Sequence, residues 1–379
     1  MKYLFFILPL LLWSCELPVV IPEETEIEKE ETVNNNQLLS MEKHPIVFYN
    51  VENLFDIYDD PKNFGDDDFT EHGAMRWDEE RYNTKLARIA EAVTMSNKNT
   101  PLLIGLSEVE NATVIKELIN TSPLNKCAYG FYHIEMEDSR GMDLAFIYDK
   151  KRFEILETER LIVTMNSQPH WKTRDILYVK GRMESDRVVH CFVNHWASRR
   201  EGTERTEKRR LASAAILRGK VDQLLKEDPK ANIIIMGDFN DTPTDKSMYE
   251  VLRAKGQHEQ KSGDLINLLI EEHKEGKGTI THRGDWMVFD QMIVSNALLS
   301  GKGGLKVSKN NAFILATTLT IVGLVILYIV SPKTAMFGAI SIFLYTSVYT
   351  PLKPLTPLAV FVGAFPGAIP FMLGWVAHT

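Results

Sequence analysis

An α/β body followed by about three transmembrane helices is the fold this sequence predicts. Three observations carry the prediction. Short apolar, strand-like runs alternate with helix-like segments from His44 to about residue 303, as in sheets covered by helices. Several of those runs end in clusters of polar residues, where open α/β sheets build their sites. Beyond residue 309 the chain has Lys333 and Lys353, no Asp or Glu, and three apolar stretches. The first 309 residues hold 41 basic and 51 acidic groups, a net charge of −10, against −8 for all 379. This composition excludes a disordered chain, a collagen-like fibre, a disulfide-stapled miniprotein and a basic nucleic-acid coat protein.

From the N-terminus, Lys2 and the apolar run Tyr3–Trp13 read as an export signal over residues 1–15, too short to span a bilayer comfortably. Leu12-Trp13-Ser14-Cys15 resembles the lipobox of bacterial lipoproteins, which implies lipidation of Cys15. Plain secretion and an uncleaved anchor are the alternatives. Residues 16–43, rich in Glu, Asn and Pro, read as an acidic, solvated linker. Strands are expected at Pro45–Tyr49, Leu102–Leu106, Asp143–Tyr148, Val188–Asn194 and Ile233–Met236, the last a fully apolar run suited to a central strand. Helices are expected at Glu80–Val93, Ala112–Ile119 and Thr206–Leu225. The third places Leu211, Ala215, Leu224 and Leu225 near one face. Residues 312–330 form a 19-residue uncharged run long enough for one membrane crossing, with shorter runs at 334–350 and 358–377.

The chemistry gathers at the strand ends. The first expected strand ends in Asn50-Val51-Glu52-Asn53-Leu54-Phe55, the second in Ser107-Glu108-Val109-Glu110-Asn111. Two more end in Asn194-His195-Trp196-Ala197-Ser198-Arg199 and Gly237-Asp238-Phe239-Asn240-Asp241. Alternation along a strand puts Asp238 and Asn240 on one side and Phe239 on the other. Taken singly, each element reads as a turn, a cap or a structural histidine; the ordered set is specific. Oxygen donors of this kind suit Mg²⁺ or Mn²⁺, with coordination positions left for phosphate oxygens. Arg140 and Arg199, the latter beside Arg200, are candidate grips on those oxygens. The run Asp56–Asp68 holds six acidic residues without EF-hand spacing and reads as a flexible acidic loop rather than a Ca²⁺ site. Cys127 and Cys191 read as buried thiols, with a disulfide as the alternative.

On these motifs, residues 44–300 resemble the endonuclease/exonuclease/phosphatase superfamily of metal-dependent phosphoesterases related to DNase I. The resemblance implies a four-layer sandwich of two mixed sheets flanked by helices. It implies Glu108 and Asn50 in a metal site, Asp238 positioning or activating a water, and Asn240 holding the scissile phosphate. His195 would donate to the phosphate or leaving group. Asp290, in Trp286-Met287-Val288-Phe289-Asp290-Gln291, matches the position whose Asp supports a catalytic histidine in that family. That histidine belongs to a Ser-Asp-His motif, and no Ser-Asp-His occurs in this sequence. The domain over 44–303 is therefore expected to be C-terminally incomplete and its turnover impaired. The implied partners are a phosphate-ester substrate, with nucleic acid as one option, and a membrane.

Residues 304–379 resemble a different family. Tyr349-Thr350-Pro351-Leu352-Lys353 and Gly363-Ala364-Phe365-Pro366-Gly367-Ala368-Ile369-Pro370 are similar to segments of the UbiA-type prenyltransferases of haem O synthesis (protohaem IX farnesyltransferase). Only a fragment is covered, and the Asp-rich motifs that hold Mg²⁺-diphosphate in that family are absent. Lys302, Lys306, Lys309 and Lys353 would face the cytoplasm by the positive-inside rule, whereas the N-terminal signal exports the same flank. Two unrelated segments joined near residues 301–305 would explain the conflict; a membrane-anchored hydrolase of the cell envelope is the rival.

Overall fold

The computed structural model describes residues 44–61, 63–95, 100–138, 140–165, 173–282, 285–302, 304–307, 336, 339 and 340. In chain order the elements are β1 (Ile46–Leu54), α1 (Glu79–Met95), β2 (Leu103–Val109), α2 (Ala112–Ile119), β3 (Tyr129–Ile134), β4 (Asp143–Asp149), β5 (Phe153–Leu161), β6 (Ile176–Met183) and β7 (Val188–His195). There follow α3 (Thr203–Glu227), β8 (Asn232–Asp238), β9 (Ala254–Lys255), β10 (Leu265–Asn267), α4 (Ile270–Lys274), β11 (Ile280–His282), β12 (Asp285–Met287), β13 (Asp290–Ser295) and α5 (Asn296–Ser300). The five expected strands and three expected helices all form.

Two mixed sheets result. One has the order β1-β2-β4-β3 and the other β5-β6-β7-β8-β13-β10-β9, while β11 and β12 make a separate hairpin. Within them β1 runs parallel to β2 and β7 parallel to β8, so the carboxyl ends of these strands share an edge. The apolar side chains sort into three layers. Leu103, Leu144 and Phe146 of the first sheet meet Val179, Val193, Met236 and Val294 of the second. On the outer face of the first sheet, Ile104 and Leu106 pack against Leu86 and Ile89 of α1 and Val114 of α2. On the outer face of the second, Phe192, Ile233 and Ile235 pack against Ala214, Leu217 and Val221 of α3. The order helix, sheet, sheet, helix is that of a DNase I-like α/β sandwich. The sheets approach closely at Gly105, where an added Cβ would lie 2.6 Å from Met236 Sδ.

Three expectations need correction or fall elsewhere. The stripe that α3 buries is Thr206, Arg210, Ser213, Ala214, Leu217, Arg218, Val221 and Leu224; Ala215 is exposed and Leu211 only partly covered. Cys127 and Cys191 are free, the first donating to Thr100 Oγ1 at 3.0 Å and the second wholly buried in β7. Among the described residues no helix is long and apolar enough to cross a membrane. The signal, Cys15, the linker and the three expected spans lie outside the described residues, except for Met336, Ala339 and Ile340. The sandwich continues beyond the expected junction: Leu305 and Val307 pack against the inter-sheet core, and the Val307 N–H donates to Leu298 at 2.9 Å.

Candidate active site

The period of two along a strand brings the site together. Ile46 and Phe48 of β1 face the inter-sheet layer. So do Val189, Cys191 and Val193 of β7, Ile234 and Met236 of β8, and Met292 and Val294 of β13. Two residues further along β1, β7 and β8, and two residues back along the antiparallel β13, the same alternation aims Asn50, His195, Asp238 and Asp290 into the layer at its open edge. Glu108 reaches the same place through a β-bulge between Ser107 and Val109, with φ of +64°. Asn240 also sits at positive φ, +49°. Left-handed backbone at a residue other than glycine costs about 1–3 kcal/mol and collects at functional sites.

Asn50 Nδ2 donates to Asp238 Oδ2 at 3.0 Å and to Glu108 Oε1 at 3.4 Å. His195 Nε2 stands 3.6 Å from Glu108 Oε1 and 3.7 Å from Asp238 Oδ2. Glu108, His195 and Asp238 each offer a ligand atom, and the three atoms lie within 4.8 Å of one another. Arg140 Nη2 approaches Glu108 Oε1 at 3.7 Å and also contacts the Met142 sulfur. In register, Asp290 of β13 stands opposite Asp238 of β8. The expected residues Asn50, Glu108, Arg140, His195, Asp238 and Asp290 thus share one edge.

Burial sets the electrostatics. It pushes the Asp238 carboxyl up, helped by the Glu108 charge, while hydrogen bonds from the Asn240 N–H and Asn50 pull the other way. His195 is held well below its ordinary range by burial and by the nearby Arg174 and Arg140 cations, and is neutral. Asp290 is pushed up to about 7 by burial and then by the Asp238 charge. Its Oδ1 is shielded from solvent and meets no hydrogen-bond partner.

Two expected residues take other roles here. Arg199 is not free to meet a phosphate: its Nε donates to Asn240 O at 2.6 Å and its Nη2 pairs with Asp241 and Asp245, each at 2.5 Å. Two carboxylates beside one guanidinium outweigh a solvated position, so Arg199 braces the turn after β8. The Asn240 side chain donates to Trp196 O at 3.1 Å, tying that turn to the end of β7. One residue escaped the sequence reading. Arg174, 5% exposed, puts Nη1 2.9 Å from both His195 ring nitrogens and Nη2 3.4 Å from Trp196 O. Its signal in the sequence is no more than an arginine before an apolar run, in Thr173-Arg174-Asp175-Ile176.

Comparison with known proteins matches residues 45–321 to the model of the endonuclease/exonuclease/phosphatase family, and residues 305–379 to that of the UbiA prenyltransferase family. The two matches overlap over 305–321. The tail is 76% identical over 74 residues to a protoheme IX farnesyltransferase of Flavobacterium psychrophilum, covering 20% of this chain and 25% of the relative. It is 76% identical over 66 residues to that of Christiangramia forsetii, covering 17% and 22%. The chain therefore spans about a quarter of the length of these curated relatives. Among solved structures, a mannosyl-6-phosphatase of Bacteroides thetaiotaomicron is similar at 15% identity and a TM-score of 0.45, over 67% of this chain and 86% of that one. The human Nocturnin catalytic domain is similar at 20% identity and a TM-score of 0.39, over 52% and 70%. The family match covers most of the chain, including every strand of the two sheets and the whole cluster from Asn50 to Asp290: the chain belongs to the endonuclease/exonuclease/phosphatase family.

Proposed function

We propose that the chain is a divalent-metal-dependent phosphoesterase, with Mg²⁺ (or Mn²⁺) held by Glu108 and Asn50. The convergence of Glu108, His195 and Asp238 within 4.8 Å is the observation that carries this reading. Their donor set, two carboxylates beside a carboxamide and a neutral imidazole, fits a hard divalent ion. When bound, such an ion neutralises and orients the phosphate. Asp238, accepting from Asn50 and the Asn240 N–H, holds its carboxylate fixed to position the attacking water. Arg140 lies beside Glu108 and supplies a second positive charge for phosphate oxygens. Arg174, 2.9 Å from both ring nitrogens, holds the His195 imidazole in place, and a His195 N–H would donate to the phosphate or the leaving oxygen. Asn240 holds the scissile phosphate only if its side chain leaves Trp196 O. Asp290 would orient a histidine for the attacking water, and this chain has no Ser-Asp-His to provide it; loss of such a base costs about 10²- to 10⁴-fold.

The substrate class is a phosphomonoester or phosphodiester. The acidic body offers no broad basic footprint for duplex nucleic acid. A second reading, prenyl transfer to haem B, draws on the 76% identity of the tail. Against it stands the lack of any Asp or Glu after residue 309 to hold a metal-bound diphosphate. We infer instead that the tail associates the hydrolase with a membrane, and that residues 1–15 export it, with Cys15 as the lipidation site and residues 16–43 as a linker. The test is Mg²⁺-dependent hydrolysis of a model phosphodiester and a phosphomonoester by the full chain in detergent. Glu108→Ala or Asp238→Ala should abolish it; hydrolysis unaffected by either change, or by chelation, would sink the reading.

A further inference from the structure

The loop between β1 and α1 carries the six acidic residues from Asp56 to Asp68, and the proposed hydrolysis uses none of them. Asp59, Asp66 and Asp67 each offer a carboxylate oxygen, and these three oxygens lie within 4.8 Å of one another. Asp59 and Asp67 are exposed, whereas Asp66 is only 1% exposed. Asp66 Oδ2 accepts from the Asp60 N–H at 2.9 Å. Its Oδ1 is shut off from solvent and meets no hydrogen-bond donor. A buried carboxylate oxygen with no donor is unfavourable unless something positive completes it.

We propose that Asp59, Asp66 and Asp67 form a Ca²⁺ site in the β1–α1 loop, separate from the centre at Glu108 and Asp238. Ca²⁺ takes six to eight hard oxygens at about 2.4 Å, so oxygens up to about 4.8 Å apart can sit on one coordination sphere. Mg²⁺, at about 2.1 Å, needs a tighter octahedral set and keeps most of its waters. The exposed sides of Asp59 and Asp67 leave room for the waters and carbonyls that complete a Ca²⁺ shell. The site also has a structural consequence. Gly65 packs directly against the Arg140 backbone, and Gly141 directly against the Asn63 side chain. Ordering the loop with Ca²⁺ therefore fixes the support on which Arg140 stands.

The test is a calorimetric titration of the full chain, stripped of metal and held in detergent, with Ca²⁺ alone. One ion per chain beyond any held at Glu108 should bind with half-saturation on the order of 0.1–1 mM, as in extracellular Ca²⁺ modules. Glu108→Gln should retain that ion. Asp66→Asn should weaken it at least about tenfold, and Asp67→Asn, an exposed change that leaves the core intact, several-fold. Binding that survives both changes would overturn the proposal. So would binding lost in Glu108→Gln, which would place the ion in the catalytic centre, or uptake of Mg²⁺ in preference to Ca²⁺. Because the readout is binding, failure of the hydrolase reading would leave this result intact.

Discussion

Gly105→Ala should separate the two halves of the site. Asn50 and Glu108 come from one sheet, His195, Asp238 and Asp290 from the other, and at Gly105 the two sheets are in direct contact. The new methyl would lie 2.6 Å from Met236 Sδ, 3.1 Å from Met236 Cγ and 3.3 Å from Val193 Cγ2. Carbon contacts are comfortable at about 3.5–4.0 Å, so Met236, itself fully buried, must move by about an ångström. Overpacking of this kind costs about 1–3 kcal/mol. The lower freedom of alanine in the unfolded chain returns about 0.4–1 kcal/mol. A net loss of about 1–2 kcal/mol follows, or roughly 2–8 °C in Tm for a domain of this size. Thermal unfolding followed by circular dichroism measures it, and a metal titration of activity should show weaker half-saturation. Met236→Ala opens the space, so the two changes together should cost less than their sum by about 1 kcal/mol. A Gly105→Ala protein as stable as the parent, or strict additivity with Met236→Ala, would refute the packing argument.

Arg199→Ala should lower stability by about 1–3 kcal/mol, because Asp241 and Asp245 lose a shared guanidinium and keep Arg210, Ser247 and Thr242 as partners, yet leave KM for a phosphate ester within about twofold. Arg140→Ala should do the reverse, raising KM with little change in Tm. His190 shares a hydrogen bond with the Tyr178 hydroxyl at 2.8 Å and is lowered from 6.5 to about 4 by burial and then by Lys180. A base depressed in the folded state is protonated first in the unfolded chain, so it lends stability above pH 6.5 that drains away as pH falls towards 4. The urea midpoint should therefore fall less steeply over that window in His190→Gln than in the parent. Finally, the unpartnered Asp290 Oδ1 predicts that imidazole at about tens of millimolar raises hydrolysis several-fold in the parent and not in Asp290→Ala.

β2, β7 and β8 were legible because they are largely buried and read as apolar runs ending in polar clusters, whereas β13, which carries Asp290, was not among the expected strands. β5 and β6 were not, since a bulge between Ile155 and Glu157 breaks the alternation of β5. The buried stripe of α3 was misplaced for a different reason. It contains Thr206, Arg210, Ser213 and Arg218, polar residues satisfied by internal partners such as the Arg210–Asp241 pair at 2.7 Å. Hydropathy along a helix does not reveal a buried arginine whose carboxylate lies in another element. Arg174 was hidden in the same way, as its contact with His195 joins a loop residue to a strand end. Arg199 was legible as a cation near the site, but only three dimensions show that Asp241 and Asp245 already claim it.

The direction of the strands bears on how the protein would work from a surface. β1 enters at Ile46 and β13 leaves at Ser295, both at the end of the sandwich remote from Asn50 and Asp290. Among the described residues, the contact from Val307 to Leu298, just after β13, is at that same remote end. Chain entry at Ile46 and exit at Ser295 therefore leave the reactive rim clear of both, a strand's length, roughly 17–20 Å, away. A substrate can reach that rim without passing the points where the chain enters and leaves the sandwich.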